Sequence, residues 1–177
     1  MKPIFLIGFT AVGKTTIGKR LASRLGLNFL DADEYLEKKY HSSIGGMMAG
    51  CGIEKFRKRE KVILIEISQL QDTVIATGGG MPTWDDNIDL MLARGTVIYL
   101  EASVAALTKR LIEVRDSRPT VMGLDDEGIR KHVENVLPKR IPIYERAHFS
   151  VSAETLVTED DEIALTEEIA TIILSNK

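Results

Sequence analysis

The chain has 177 residues, of which 44% are hydrophobic, 28% are charged and 6% are aromatic. This length and composition suit one compact domain with a sizeable core, and they exclude disordered, collagen-like and mucin-like proteins. The formal net charge is −3 at pH 7, but residues 153–177 carry seven acidic side chains and one basic one, which leaves +3 on residues 1–152. Residues 1–152 are too weakly basic to form a typical nucleic-acid-binding surface, although scattered cations among them can form an anion-binding site.

The cysteine content and the length of the apolar segments indicate in which compartment the protein works. Cys51 is the only cysteine, so an intrachain disulfide and a thiolate-rich structural zinc site are both excluded. The apolar run near the N-terminus covers only residues 4–7, and no later run approaches the ~18 residues that cross a membrane. We therefore expect a cytoplasmic protein without membrane or nucleic-acid partners. The acidic C-terminal segment shows no interface pattern, which favours a monomer.

Short apolar runs alternate with longer segments of helical period, and this pattern predicts an α/β fold around a parallel sheet. The predicted strands cover residues 4–7, 28–31, 74–76, 97–100 and 149–151. The middle strands are short and almost wholly apolar, as buried parallel strands are. We expect a single domain over residues 1–177 with a five-stranded sheet.

Two early helices carry boundary signals. Apolar residues recur every four positions over residues 14–25, and Gly26 follows them, so a first helix is predicted there. A second helix is predicted to begin at Asp85-Asp86, where acidic side chains favour a helix N-terminus, and to end at Arg94. Gly95 is then expected in the left-handed conformation that often closes a helix.

The later helices carry boundary signals as well. Ser103 is expected to cap one of them, and another is expected to begin at Asp125 and to end where Pro138 interrupts it. The last helix, over about residues 161–174, is expected to bury Ile163 together with Ile169 and Ile173. Residues 114–123 are polar, show neither the helical nor the strand pattern of apolar residues, and separate two helices. A segment of this kind is favoured as a lid over an active site.

A phosphate-binding pattern occupies residues 8–15, which read Gly-Phe-Thr-Ala-Val-Gly-Lys-Thr and match G-x-x-x-x-G-K-[S/T] between a strand and a helix. In this context the backbone N–H groups converge on phosphate oxygens and the helix dipole adds to their field. Lys14 would reach the β- and γ-phosphates, and the hydroxyl of Thr15 would ligate Mg²⁺. A glycine-containing turn that matches by chance is the weaker alternative, so the sequence predicts a nucleoside triphosphate site.

Two carboxylates follow the second predicted strand. Asp31 and Asp33 are separated by one residue, so they would share a face of extended backbone and both reach the cleft beyond the strand ends. One of them would hold Mg²⁺ through water, and the other would accept the proton of an attacking hydroxyl. The alternative, that Asp33 merely caps the helix that begins at Glu34, stays open on these residues alone.

Two further segments point to a second substrate. Arg57 and Glu60 are three positions apart on a predicted helix, so Glu60 could orient the guanidinium toward a substrate carboxylate, although such a charge run is usually a solvated face. Gly78, Gly79 and Gly80 follow the third strand, and three consecutive glycines indicate that something approaches the backbone closely. A flexible turn is the alternative.

Taken together, these segments resemble the shikimate kinase family. The matching segments occur in the family's order, at residues 8–16, 30–33, 56–60, 78–80, 97–100, 118–119 and 140–144. The phosphate loop is common to many kinases, whereas its combination with Asp-x-Asp, Phe-Arg, the triple glycine and Arg-x-Pro-x-Tyr is specific. The resemblance implies a three-layer α/β/α P-loop kinase fold with a substrate-binding helical segment at about residues 32–60 and a lid at about residues 112–124.

The resemblance implies transfer of a phosphoryl group from ATP to the 3-hydroxyl of shikimate, with Mg²⁺ as cofactor, in the pathway to chorismate and the aromatic amino acids. For the acceptor it implies Asp33 at the reacting hydroxyl, Arg57 and Arg140 on the carboxylate, and a backbone N–H of the triple glycine, from Gly79. For the nucleotide it implies the loop residues Ala11, Val12, Gly13, Lys14, Thr15 and Thr16, with Arg118 over the phosphates, Arg110 near the adenine, and Asp31 beside Thr15 at the metal.

Other functions remain to be separated from this one. A related kinase that acts on gluconate or on a nucleoside monophosphate would keep the phosphate loop. A monophosphate acceptor calls for more cations around the acceptor pocket, and the negative charges of Asp31 and Asp33 argue against it. A catalytically silent nucleotide-binding protein would have lost Lys14, Asp33 or Arg57, and all three are present. A GTPase switch lacks support because the chain has no Asn-Lys-x-Asp segment.

Overall fold

The computed structural model describes residues 1–176. Its five strands are β1 (Ile4–Ile7), β2 (Asn28–Asp31), β3 (Thr73–Ala76), β4 (Thr96–Glu101) and β5 (Phe149–Ser152). They pair in parallel in the order β2-β3-β1-β4-β5. The predicted sheet is confirmed, and each predicted strand lies within the observed one.

Within residues 1–176, seven α-helices connect or cover these strands. They are α1 (Lys14–Leu25), α2 (Ala32–Tyr40), α3 (Ile44–Ile67), α4 (Asn87–Arg94), α5 (Val104–Glu113), α6 (Asp126–Tyr144) and α7 (Glu159–Ser175). α1 packs against α7, and α5 packs against α6. Because the β1–β2 and β3–β4 crossovers run in opposite directions along the sheet, right-handed connections place α1 and α4 on opposite faces. The three-layer α/β/α expectation is confirmed.

The sheet interior explains why the central strands are so apolar. Every residue of β1 and β3 is buried, because helices cover both faces of the sheet. β1 lies between β3 and β4, where the two crossover directions diverge, and ligands bind beyond the strand ends at such a point. The loop after β1 therefore opens directly into this cleft. Across residues 1–176, none of the helices has the length and apolar character needed to span a bilayer.

Local boundary signals are confirmed at two helices. α1 has the predicted limits and ends at Gly26 in the left-handed conformation, with φ 66° and ψ 35°. The hydroxyl of Ser103 accepts a hydrogen bond from the N–H of Ala106 at 3.1 Å, as a cap of α5 should. Both signals involve residues close together in the chain, so distant contacts do not override them.

The prediction that Pro138 ends its helix is wrong. α6 continues through Pro138 and Pro142 to Tyr144. An internal proline removes one backbone hydrogen bond and crowds the preceding turn, but the helix keeps one buried face on both sides of it. Leu137 and Tyr144 belong to that face, and their burial offsets the lost bond.

Two further expectations are wrong, one about the burial of a side chain and one about the conformation of a glycine. Ile163 is 47% exposed, while Leu165, Ile169 and Ile173 are buried. Since each helical residue advances by about 100°, Ile163 lies about 200° from Leu165, and its side chain is at the exposed rim of the α1–α7 contact, beside Arg20 and Arg24. Gly95 is extended, with φ −156° and ψ −170°, rather than left-handed. A side chain at Gly95 would overlap the carbonyl oxygen of Pro3, so this glycine serves close packing.

The acidic C-terminal segment is paired within the molecule. Arg20 of α1 contacts Glu159 at 2.9 Å and Glu162 at 2.6 Å, and Arg24 contacts Glu167 at 2.5 Å. These pairs are largely exposed, so water and salt screen them and each contributes little to stability. Their main consequence is that these acids of α7 pair with basic side chains of α1, away from the cations of the cleft.

Candidate active site

The phosphate loop joins β1 to α1 and depends on glycine at two positions. Gly8 and Gly13 have φ values of 140° and 106°, which side chains rarely adopt. A Cβ at Gly8 would also lie 2.5 Å from the carbonyl oxygen of Leu100. The loop can therefore curl so that its N–H groups converge before the first turn of α1. Val12 is fully buried, so only its backbone can face a ligand, whereas Thr16 is exposed.

Lys14 lies inside this loop. Its Nζ donates hydrogen bonds to the carbonyl oxygens of Gly8 at 3.0 Å and Phe9 at 2.7 Å, and only 8% of the residue is exposed. Burial lowers the pKa of Lys14 to about 8, although the negative charge of Asp33 opposes the shift. Phosphate oxygens would favour the charged form of the lysine, so this position is well suited to a polyanion.

Thr15 and Asp31 form an oxygen pair beside the loop. The Thr15 hydroxyl donates to Oδ2 of Asp31 at 2.7 Å, and Oδ1 of Asp31 accepts from the N–H of Asp33 at 3.0 Å. Asp31 is thus the residue that caps α2, and the alternative that Asp33 is the cap is wrong. The expectation that the two carboxylates share extended backbone is also wrong, because the chain turns into α2 immediately after Asp31.

The Thr15–Asp31 pair fits a magnesium site. No group of three or more His, Cys, Asp or Glu side chains within residues 1–176 could hold a metal ion. Mg²⁺ nevertheless prefers hard oxygen ligands and is often bound through one or two protein oxygens, with phosphates and waters completing its shell. A hydroxyl and a carboxylate 2.7 Å apart beside the phosphate loop supply such a partial set.

Asp33 lies on the first turn of α2 and faces the triple glycine. A Cβ at Gly78 would lie 2.5 Å from its Oδ1. Burial, helped by the negative charge of Asp31, raises the pKa of Asp33 to about 6, while Lys14 and Arg118 oppose the shift. The carboxylate is therefore mostly ionised at neutral pH, with a pKa close to the value that suits proton transfer there.

Arg57 and Glu60 form the predicted ion pair on α3. Glu60 is only 2% exposed, and burial raises its pKa to about 7 against the opposing effect of Arg57. The guanidinium of Arg57 fills the space beside Gly80, where a Cβ would overlap its nitrogens. Glu60 therefore holds Arg57 against the triple glycine, and the charge run around it is only partly a solvated face.

Arg140 and Thr10 approach the middle glycine. A Cβ at Gly79 would lie 3.0 Å from Oγ1 of Thr10 and 3.4 Å from Nη1 of Arg140. The guanidinium of Arg140 also stacks over the ring of Phe9, 5.3 Å from its centroid. The expected close approach to the triple glycine is confirmed, and the approaching groups are side chains of the protein itself.

The segment predicted as a lid packs onto the rest of the molecule. Val121 is fully buried, and Pro119 lies against Gly45 at the start of α3. The positive charge of Arg118 lowers the pKa values of both Lys14 and Asp33, which places its guanidinium near both groups. Its Nε is buried with no hydrogen-bond partner among the described residues, so the site can satisfy it with a ligand oxygen.

Arg110 lies beside the loop that precedes α7. Its Nη2 donates to the carbonyl oxygens of Ala153 at 2.7 Å and Glu154 at 2.9 Å. Within residues 1–176, its Nη1 is buried and has no hydrogen-bond partner. In the same loop, Leu156 packs so closely on Gly13 that a Cβ there would overlap it. Arg110 therefore holds this loop against the end of the phosphate loop.

Sequence reasoning missed two residues of this site. Thr10 was part of the phosphate-loop pattern without a role of its own, and Tyr144 was only the final residue of the Arg-x-Pro-x-Tyr segment. Tyr144 follows Arg140 by four positions, which places both on one face of a helix. The i, i+4 spacing is the signal that identifies Tyr144, and the wrong expectation that the helix ends at Pro138 hides it.

Comparisons with known proteins agree with this geometry. The family model "Shikimate kinase" matches residues 10–176. The shikimate kinase of Parabacteroides distasonis is 42% identical over 161 residues, covering 91% of this chain and 93% of that protein. The crystal structure of shikimate kinase from Bacteroides thetaiotaomicron has a TM-score of 0.93 at 30% identity, covering 97% of this chain and 98% of that one.

A second solved structure shares the fold over the whole chain. Shikimate kinase from Acinetobacter baumannii, in complex with shikimate, has a TM-score of 0.86 at 32% identity and covers 100% of this chain and 95% of that one. The family match extends over residues 10–176 and so includes all of the cleft residues described above except Gly8 and Phe9. The chain therefore belongs to the shikimate kinase family, a family of ATP-dependent phosphotransferases.

Proposed function

We propose that this chain transfers the γ-phosphoryl group of ATP to the 3-hydroxyl of shikimate, giving shikimate 3-phosphate and ADP, in the pathway to chorismate and the aromatic amino acids. The observation that carries the proposal is the convergence of one carboxylate and two guanidinium groups on a single glycine turn. Asp33, Arg57 and Arg140 contact that turn from three different helices. Shikimate offers matching groups, namely hydroxyls and one carboxylate.

The nucleotide side of the cleft binds the triphosphate. The curled backbone from Gly8 to Gly13 donates N–H groups to phosphate oxygens, with the dipole of α1 behind them. Lys14 exchanges its two carbonyl partners for phosphate oxygens, which favour its protonated form. Arg118 adds a second cation and satisfies its buried Nε there, and Arg110 borders the adenine end.

Magnesium is the cofactor that this oxygen set favours. Thr15 and Asp31 would hold the ion through the hydroxyl and the carboxylate that now bond each other at 2.7 Å. When bound, Mg²⁺ neutralises phosphate charge and helps to align the transferred group. Asp31 would keep its Oδ1 on the N–H of Asp33, so the same residue would position the carboxylate on the acceptor side.

The acceptor is held by charge and by backbone. Arg57 and Arg140 bind the shikimate carboxylate, since guanidinium groups form paired, charge-assisted hydrogen bonds with carboxylates. Glu60 keeps Arg57 in place, and Phe9 supports Arg140 through their stacking contact. The glycine turn allows both guanidinium groups to come close, and its N–H groups add hydrogen bonds to the acceptor.

Asp33 aligns and deprotonates the attacking hydroxyl. The hydroxyl oxygen forms a bond to the γ-phosphorus as the bond from that phosphorus to the β–γ bridging oxygen breaks, and the hydroxyl proton passes to Asp33. Lys14 and Arg118 stabilise the negative charge that develops on the phosphoryl oxygens and on ADP. Exclusion of water by residues 112–124 would keep the phosphoryl group from hydrolysis. We further propose that the enzyme acts as a monomer in the cytoplasm.

A coupled ADP-release assay with ATP and Mg²⁺ tests this function. ADP release is expected to depend on shikimate and to be near background with gluconate, with a nucleoside monophosphate or with no acceptor. Release that depends only on gluconate would assign a different acceptor. Tight ATP binding without release in the presence of any acceptor would indicate a silent nucleotide-binding protein.

A further inference from the structure

The triple-glycine turn has its carbonyl oxygens bound and its three amide groups unpaired. The carbonyl of Gly78 accepts from the N–H of Met81 at 3.1 Å. The carbonyl of Gly80 accepts from the N–H of Thr83 at 3.2 Å and from its hydroxyl at 3.0 Å. Across residues 1–176, the N–H groups of Gly78, Gly79 and Gly80 donate to no protein atom. The turn therefore keeps three donors for a ligand.

Tyr144 binds the remaining carbonyl of this turn. Its hydroxyl donates to the carbonyl oxygen of Gly79 at 2.5 Å, across 65 positions of sequence, and its side chain is fully buried. A peptide carbonyl and the N–H that follows it lie in one plane and point in opposite directions. The phenol thus fixes the direction of the N–H of Gly80, which is one of the three unpaired donors.

The same phenol links this turn to the acceptor arginines. Tyr144 lies one helical turn after Arg140 on α6, and Nη1 of Arg140 lies 3.4 Å from the position of a Cβ at Gly79. Burial raises the pKa of Tyr144 to about 12, although the positive charges of Arg140 and Arg57 oppose the shift. The phenol is therefore protonated throughout the neutral range and remains a hydrogen-bond donor.

We propose that Tyr144 is a positioning residue for the acceptor, whose hydrogen bond to Gly79 holds the Gly79–Gly80 peptide and α6 in the mutual arrangement that binds shikimate. This inference rests on the proposed function. It places the effect of the phenol on acceptor affinity and not on the nucleotide, because neither the turn nor Tyr144 contacts the phosphate loop through a hydrogen bond.

Tyr144→Phe tests the hydrogen bond, with Tyr99→Phe as the matched control. Tyr99 packs against Tyr144 with ring centroids 5.1 Å apart and is only 4% exposed, but it forms no hydrogen bond with the turn. Since Tyr144→Phe leaves a carbonyl without its donor, the shikimate Kd by calorimetry and the shikimate KM are both expected to rise about tenfold. The ATP KM is expected to stay within about twofold, and Tyr99→Phe is expected to leave both constants within about twofold.

Amide NMR provides a readout that does not depend on turnover. In Tyr144→Phe, the amide resonances of Gly79 and Gly80 are expected to shift and their hydrogens to exchange faster, while most other amides keep their positions. Tyr99→Phe is expected to leave both glycine resonances in place. This arm decides whether the phenol holds the turn even if the wild-type chain fails to phosphorylate shikimate, which would refute only the proposed function.

Three results would overturn the inference. The first is unchanged glycine resonances in Tyr144→Phe. The second is a shikimate Kd within twofold of wild type despite shifted resonances. The third is an equal loss of shikimate affinity in Tyr99→Phe, since that variant keeps the ring and removes only a hydroxyl that forms no hydrogen bond with the turn, and so would assign the effect to the polarity around the ring pair.

Discussion

Asp33→Asn should make the folded chain more stable while it removes most of the activity. The Asp33 carboxyl has a pKa of about 6 in the folded chain against 3.8 for an unperturbed group. Because each pH unit of difference corresponds to about 1.4 kcal/mol, the ionised carboxylate costs up to about 3 kcal/mol of folding free energy at neutral pH. The side chain keeps some contact with solvent, which screens part of this cost, so we expect a gain of about 1–3 kcal/mol in Asp33→Asn.

The sign of the pH dependence follows from the same pKa difference. Between about pH 4 and pH 6 the folded chain binds more protons at Asp33 than the unfolded chain does, so the free energy of unfolding falls as the pH rises through this window. Above about pH 6 the cost is constant. The stability difference between Asp33→Asn and wild type should therefore be close to zero near pH 4 and reach its full value by about pH 7.

Urea denaturation at pH 5, 6, 7 and 8 measures this difference, and the ADP-release assay measures turnover. Turnover is expected to fall at least 100-fold, since general-base contributions are typically 10²–10⁴-fold, whereas ATP affinity is expected to change little. Asp31→Ala is the control of opposite sign, because loss of the cap of α2 costs about 0.5–2 kcal/mol. A variant Asp33→Asn that is no more stable than wild type at pH 7.5, or one with wild-type turnover, would refute the reasoning.

Three further predictions concern the charges around the glycine turn. Arg57→Ala and Arg140→Ala should each raise the shikimate KM tenfold or more with little change in the ATP KM, because a hydrogen bond to a charged group contributes about 1.5–3 kcal/mol. An unchanged shikimate KM in either variant would show that its arginine does not bind the carboxylate. Arg118→Ala should lower kcat and raise the ATP KM, and an effect confined to the shikimate KM would contradict its place over the phosphates. Burial raises the pKa of Glu60 to about 7 from its ordinary value of 4.5. The folded chain therefore holds an extra proton between these two pH values, and the free energy of unfolding falls as the pH rises there. Glu60→Gln should flatten this slope in urea denaturation, and a slope equal to that of wild type would show that Glu60 does not titrate in this range.

Features encoded by neighbouring residues could be predicted from the sequence. The strands follow from short apolar runs, and the phosphate loop follows from its glycines and its place before a helix. The Arg57–Glu60 pair follows from their i, i+3 spacing on α3. In each case the contact that decides the structure lies within a few positions of the chain.

Features that depend on distant contacts could not be predicted in this way. The proline at 138 is a poor helix residue by itself, and only the buried face of α6 explains why the helix continues. The burial of Asp33 requires Gly78, and the hydrogen bond of Tyr144 requires Gly79, 65 positions away. Composition and spacing carry no information on which partners the triple glycine receives.

The pairing of α1 with α7 has a consequence for the order in which the site can form during synthesis. Arg20 and Glu159 are 139 positions apart, and Leu156 packs on Gly13 of the phosphate loop. A nascent chain that has emerged only as far as β4 already contains the whole phosphate loop, but the outer face of its first helix is still uncovered. The packing of Leu156 on Gly13 and of α7 on α1 can therefore form only after these later segments have left the ribosome, so the phosphate loop acquires these supporting contacts late in synthesis.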